Sequence, residues 1–136
     1  MQQTKRVPRW TISTNANISS FKYAGTHLVA DFWHGRTIGN AKELEQLLRK
    51  AASAARSKAL GVSIFKFTPQ GLTGVVLLAE SHIAVHTWPE IDYVAIDIFT
   101  CGKEARPKEA LRVFQDYLHP QKVDMKEMKR GLNKTV

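Results

Sequence analysis

The chain has 136 residues, 43% of them hydrophobic, and a formal net charge of +8. That length fits one domain and is too short for two independent cores, and no apolar run approaches the roughly 20 residues of a membrane span. The single cysteine, Cys101, excludes an internal disulfide; with a polar opening, Met1-Gln-Gln-Thr-Lys-Arg, that leads into no apolar core, it points to a cytoplasmic protein.

In chain order, residues 1–22 are polar, rich in Ser, Thr and Asn and without a sustained period, the pattern of a flexible N-terminal arm ahead of one domain over 23–136. The first strand is expected over Thr26–Trp33, where Leu28, Ala30 and Phe32 alternate with His27, Val29 and Asp31. Asn40 is a good N-cap for a helix from Ala41 to about Ser57, whose Leu44, Leu47, Leu48, Ala51, Ala52 and Ala55 recur at helical spacing. From Gly61, the residues Val62, Ile64, Phe65 and Phe67 suggest a strand closed by the turn Pro69-Gln70-Gly71. Strand-like runs follow at Gly74–Glu80, His82–Trp88 and Tyr93–Phe99, the last two joined tightly by Pro89–Asp92. A second helix fits Lys108–Leu118, with Pro107 in its first turn, and a short last strand fits Val123–Met128 before a basic tail. The basic residues are spread along the body and gathered modestly at Lys5, Arg6 and Arg9 and at Lys122, Lys126, Lys129, Arg130 and Lys134. That distribution argues against a phosphate-tracking groove, so no specific nucleic acid is expected as partner.

Consecutive strands joined by short turns favour antiparallel pairing, and two helices suffice to cover one face of the sheet. The expected fold class is therefore α/β of the α+β kind, a two-layer sandwich with a mainly antiparallel sheet. The run Val75-Val76-Leu77-Leu78 is apolar at successive positions, which suggests that a partner protomer covers the second face.

The chemistry-bearing stretch runs Leu78-Ala-Glu-Ser-His-Ile-Ala-Val-His-Thr-Trp-Pro-Glu90, followed by Thr100-Cys-Gly102. Taken singly, each residue has an ordinary reading. Ser81, His82 and His86 read as polar strand positions and Cys101 as packing, while Phe67 reads as core and Glu90 as a solvated turn residue. The G-x-S-x-G, H-E-x-x-H and paired-cysteine signatures are missing.

Taken together, Glu80-Ser81-His82, His86-Thr-Trp-Pro-Glu90 and Thr100-Cys-Gly102 resemble the bacterial and archaeal S-adenosylmethionine decarboxylase family. The resemblance extends upstream through Phe67-Thr-Pro-Gln-Gly-Leu-Thr-Gly-Val-Val76 to Gly25-Thr-His-Leu-Val-Ala-Asp-Phe32, and weakly on to Arg130-Gly131. It implies an inactive proenzyme that cuts itself between Glu80 and Ser81, giving a β chain of residues 1–80 and an α chain of 81–136. The Ser81 hydroxyl would attack the Glu80 carbonyl in an N-to-O acyl shift. Thr73, at a position where the family usually has serine, would assist, and His86 would remove the Cα proton of Ser81 in the elimination that follows. The resulting pyruvoyl group would be the cofactor, with no pyridoxal phosphate and no metal. It would take the substrate amine as a Schiff base and accept the electrons released with CO₂. Cys101 would return a proton to the substrate carbon; Phe67 would stack on adenine, with His86 facing it, and Glu90 would bind the ribose hydroxyls. The resemblance also implies a homodimer, with each site near the interface.

The resemblance implies S-adenosylmethionine as substrate, for polyamine synthesis. Relatives with the same cleavage motif act on arginine or ornithine, and Phe65 stands where family members often have histidine. The remaining alternative is an unprocessed paralogue or a basic binding module, against which the trio Ser81, His86 and Cys101 counts.

Overall fold

The computed structural model describes residues 22–132. The arm expected over 1–22 falls outside them except for Lys22, as does the end of the basic tail. The first strand, β1, spans Gly25–Trp33 and buries Leu28, Ala30 and Phe32, as its alternation predicts.

Helix α1 covers Ala41–Ala54. Asn40 caps it, its side-chain oxygen accepting the Glu43 N–H at 2.8 Å, while the Glu43 carboxylate accepts the Gly39 N–H at 2.9 Å. The helix stops three residues short of the expected Ser57. Arg56 turns left-handed (φ 58°), so that its own N–H reaches the Ser53 carbonyl and the Ser57 N–H reaches that of Ala52. This paired closure satisfies the last carbonyls without a glycine.

Strand β2 (Ala59–Lys66) begins before Gly61, and β3 covers Leu72–Leu78. The expected strand through Glu80 therefore ends two residues early. Leu78 and Ser81 exchange both backbone hydrogen bonds, N–H to O at 2.8 and 3.3 Å, leaving Ala79 and Glu80 as the tip of a two-residue hairpin. Strand β4 is His82–Trp88 and β5 is Tyr93–Cys101, two residues longer than expected; a single 3₁₀ turn, Pro89–Ile91, joins them. Helix α2, Pro107–Leu118, ends where His119 turns left-handed, and β6, Lys122–Arg130, is a full edge strand rather than a short one.

The strands form one sheet in the order β2-β3-β4-β5-β1-β6, and every neighbouring pair is antiparallel. Both helices lie on one face, α1 against β2 and β3 and α2 against β5 and β1. They bury Leu44, Leu48, Phe114 and Leu118 against Phe32, Val76, Ile83 and Ile98, each large side chain contributing on the order of 1.5–3 kcal/mol of transfer free energy. The Tyr117 hydroxyl donates to the Glu43 carboxylate and ties α2 to α1. No described helix is long and apolar enough to cross a membrane.

The two-residue period of the strands sends the alternate side chains to the other face, which no described element covers. That face carries His27 and Asp31 of β1, Asp97, Phe99 and Cys101 of β5, His82 and His86 of β4, and Thr73 and Leu77 of β3. Of the apolar run in β3, Val76 and Leu78 are buried, whereas Leu77 is 56% exposed.

Candidate active site

The residues singled out in the sequence fall into two groups at opposite ends of β4. The first group surrounds the hairpin tip. Ser81 directly follows the tip and precedes β4; its Oγ lies 3.3 Å from His82 Nδ1. Cys101, the last residue of β5, donates its Sγ–H to the main-chain carbonyl of Glu80 at 2.9 Å. Burial, and then the nearby Glu80 carboxylate, push the thiol pKa up, which keeps the proton on sulfur and the donor intact. One Glu80 carboxylate oxygen, Oε2, is buried with no hydrogen-bond partner among the described residues. The bond between Glu80 and Ser81 thus carries a polarising donor on its carbonyl and a hydroxyl one residue further along the chain.

The second group lies at the far end of the strand. Thr73 and His86 are opposite each other in the β3–β4 register, and Thr73 Oγ1 meets His86 Nδ1 at 3.0 Å. They open on a cleft of about 610 Å³ that Phe67, Trp88 and Glu90 also line. The Phe67 ring is 48% exposed and held edge-on by Phe65, with centroids 4.9 Å apart. Gly71, at φ 102°, closes the turn beneath Phe67, and the Phe67 N–H donates to the Gly71 carbonyl at 2.9 Å. Leu72 N–H donates to the buried Thr87 Oγ1 at 2.9 Å and fixes the hairpin at this end.

Within one chain the two groups do not meet. Ser81 and His86 are five residues apart along an extended segment, which is roughly 16 Å at about 3.3 Å per residue. The structure brings together Glu80, Ser81 and Cys101, and separately Thr73, His86, Phe67 and Glu90.

Between the groups the open face carries charge that the sequence reading passed over. His27 on β1 and His82 on β4 both stand opposite Phe99 of β5 in the register. Both direct Nε2 at the same Asp97 oxygen, Oδ1, at 2.5 and 3.6 Å respectively, and both rings lean on Phe99, with centroids 5.3 and 6.1 Å from it. Further along, Tyr93 donates to Asp31 at 2.5 Å and lies between the rings of Trp33 and Trp88, stacked at 4.5 and 5.1 Å. Burial, and then that hydrogen bond, push the Tyr93 pKa up to about 12. The available signal was adjacency: His82 follows Ser81, and Asp97 shares the alternation of Cys101. That His27 joins them depends on β1 pairing with β5, a long-range register.

Comparison with known proteins agrees in extent and order with these elements. The family model described as S-adenosylmethionine decarboxylase matches residues 26–131. The chain is similar to the S-adenosylmethionine decarboxylase proenzyme of Methanococcus aeolicus, at 42% identity over 81% of this chain and 96% of the relative. It is also similar to that of Thermomicrobium roseum, at 32% identity over 82% and 97%. Among solved structures it is similar to the adenosylmethionine decarboxylase of Aquifex aeolicus, with a TM-score of 0.79 and 32% identity over 85% of this chain and 98% of that one. Since the match spans every element from β1 to β6, including the tip and both ends of β4, the chain belongs to the S-adenosylmethionine decarboxylase family.

Proposed function

We propose that the chain is a proenzyme that cuts itself between Glu80 and Ser81 and then decarboxylates S-adenosylmethionine, forming the decarboxylated sulfonium compound and CO₂ for polyamine synthesis. The observation that carries this reading is the Cys101 thiol donating to the Glu80 carbonyl at a hairpin tip that presents Ser81. As the hydroxyl attacks, negative charge gathers on that oxygen, where a fixed donor stabilises it. The donor and hydroxyl at the tip fit conversion of Ser81 into a pyruvoyl group. Once formed, that group supplies the electron sink that decarboxylation of an α-amino acid requires.

The chain's own residues divide the remaining work. Thr73 orients His86 through its contact with Nδ1, and the other ring nitrogen, Nε2, takes the Cα proton of Ser81 during processing. After the cut the Glu80 carbonyl becomes the end of the β chain, which frees Cys101 Sγ–H to return a proton to the substrate's α-carbon. Phe67 offers an exposed ring for adenine, with His86 across the same cleft, and Glu90 offers a carboxylate for ribose hydroxyls.

The two groups must meet for this division to work, and one extended strand holds them apart. A second chain laid on the uncovered sheet face would bring its Thr73–His86 end to the first chain's tip. A homodimer of cut protomers, with sites built from both, is therefore part of the proposal. The exposed Leu77, Phe65 and Trp88 on or beside that face support it. The single thiol fits a cytoplasmic enzyme.

Intact mass and denaturing electrophoresis after incubation test the first claim: two fragments meeting at 80/81 are expected, and a chain that stays whole refutes it. Release of labelled CO₂ from S-adenosylmethionine, arginine and ornithine in parallel tests the substrate. Turnover of a basic amino acid without turnover of the sulfonium compound would assign the same chemistry to the other substrate.

A further inference from the structure

We propose that His82 is the base that activates Ser81 for the first step of self-cleavage, with Asp97 holding its imidazole in place. The proposal rests on the self-cleavage reading and adds a residue to it. Self-cleavage makes two separate demands on a base: one proton must leave Ser81 Oγ for the acyl shift, and later another must leave Ser81 Cα. His86 cannot serve the first within its own chain, because it lies at the other end of β4 and its Nδ1 is engaged by Thr73. His82 already touches the hydroxyl, Nδ1 to Oγ at 3.3 Å.

The relay is ordered by the sheet. Asp97 Oδ1 stands 3.6 Å from His82 Nε2, outside direct hydrogen-bond distance, where its negative charge favours a proton on Nε2; in that tautomer Nδ1 accepts from Ser81. His27 donates from Nε2 to the same Oδ1 at 2.5 Å and holds the carboxylate from the opposite side. Phe99 packs against both imidazole rings and limits their rotation. Strands β1, β5 and β4 therefore gather His27, Asp97 and His82 on the face that carries Cys101, and Ser81 Oγ meets His82 Nδ1 from the residue just before β4.

The step balances without any added reagent. His82 Nδ1 takes the proton from Ser81 Oγ as the oxygen forms its bond to the Glu80 carbonyl carbon. The carbonyl π pair moves onto oxygen, where the Cys101 thiol donates to it. The pair then returns, the bond from carbon to the Ser81 nitrogen breaks, and the departing nitrogen takes the proton back from His82 Nδ1. An amide has become an ester and a free amine, and His82 ends neutral. The imidazole leaves this single event unchanged, and the later Cα proton is left to His86.

The test follows the first-order loss of full-length chain in freshly made protein, with and without hydroxylamine, which cleaves an accumulated ester but not an amide. His82→Gln should slow cleavage by about a hundredfold, the low end for removal of a general base, and hydroxylamine should give no rescue because no ester forms. His86→Ala should instead accumulate ester and be cut by hydroxylamine. His82→Ala should regain part of its rate from added imidazole. Asp97→Asn should slow cleavage about tenfold, again without hydroxylamine rescue, and Asp97→Glu should recover part of the loss, which a merely structural carboxylate would not predict. Circular dichroism identifies any variant that fails to fold, and His82→Gln then carries the test in place of His82→Ala. A folded His82→Gln that cuts at the wild-type rate, or is cut by hydroxylamine, would overturn the assignment alone; a wild-type chain that never cuts would overturn the self-cleavage reading beneath it.

Discussion

The two ends of β4 are built from the same kind of residue and do different things. At the tip end, a hydroxyl, an imidazole and a thiol crowd one peptide bond, Ser81 Oγ 3.3 Å from His82 Nδ1 and Cys101 Sγ 2.9 Å from Glu80 O. At the far end, another hydroxyl–imidazole pair, Thr73 and His86, meets at 3.0 Å beside an open cleft with no scissile bond in reach. In the proposed function the tip breaks its own chain and the cleft receives something brought to it. A strand cannot fold back on itself over five residues, so the separation is imposed by extended backbone geometry. The lesson is that a motif continuous in sequence, Leu78 to Glu90, is divided by its own strand into two separated groups.

The largest effect expected is from Ser81→Ala, which should abolish the cut entirely; appearance of fragments at 80/81 by intact mass would show that the tip works by another route. Mixing chains comes next. A His86→Ala chain should stay whole by itself, yet be cut when co-assembled with Cys101→Ala chains, because the partner supplies an intact His86. Distinguishing tags on the two chains would report this, and absence of any cut in the mixture would break the idea of halves shared between protomers.

Cys101→Ala separates the two roles proposed for the thiol. Loss of an oxyanion donor costs roughly 10²–10³-fold in strong cases; a thiol is a weak donor, so cutting should slow only about tenfold. Decarboxylation by the cut protein should fall by on the order of a hundredfold, as expected for a lost general acid, measured as labelled CO₂.

Smaller effects test how the tip is held. Gly25 lies opposite Cys101 in the register, and a Cβ there would stand 2.8 Å from both the Thr100 carbonyl and the Phe99 ring. Gly25→Ala should cost about 1–3 kcal/mol of stability in a denaturant melt, the usual range for overpacking. The smallest effect concerns Tyr93, far from the tip. With its pKa raised from 10.0 to about 12 by burial and by donation to Asp31, the protonated phenol contributes its full stabilisation below the ordinary value. That contribution is lost as pH rises through about 12. Tyr93→Phe should delete the late step from the tyrosinate absorbance titration and flatten that part of the alkaline stability loss.

Much of this protein was legible in its sequence because the signals were local. Asn40 followed by Leu44, Leu47 and Leu48 specifies a capped amphipathic helix, and the alternation in His82–Trp88 gave that strand to the residue. The ends of elements were less legible where the deciding contact was remote or unusual. Arg56 closes α1 in a conformation usually given to glycine, and Glu80 leaves β3 because Leu78 pairs with Ser81 across the turn. The length of β6 is set by β1, with Lys122–Arg130 matching Trp33–Gly25 along its whole run; its own charged composition gave little sign of that.

By itself, then, the sequence determined the family motif and the order and spacing of its polar groups, since residue identity and spacing along a short stretch are covalent facts. Only the tertiary structure decided which groups stand together. Pairing of β1, β4 and β5 gathers His27, His82 and Asp97 from positions 27, 82 and 97 onto one face beside the Glu80–Ser81 bond. The same extended β4 that presents Ser81 carries His86 out of its reach. Proximity in a sheet follows register between distant segments, and register is fixed by packing of the whole core.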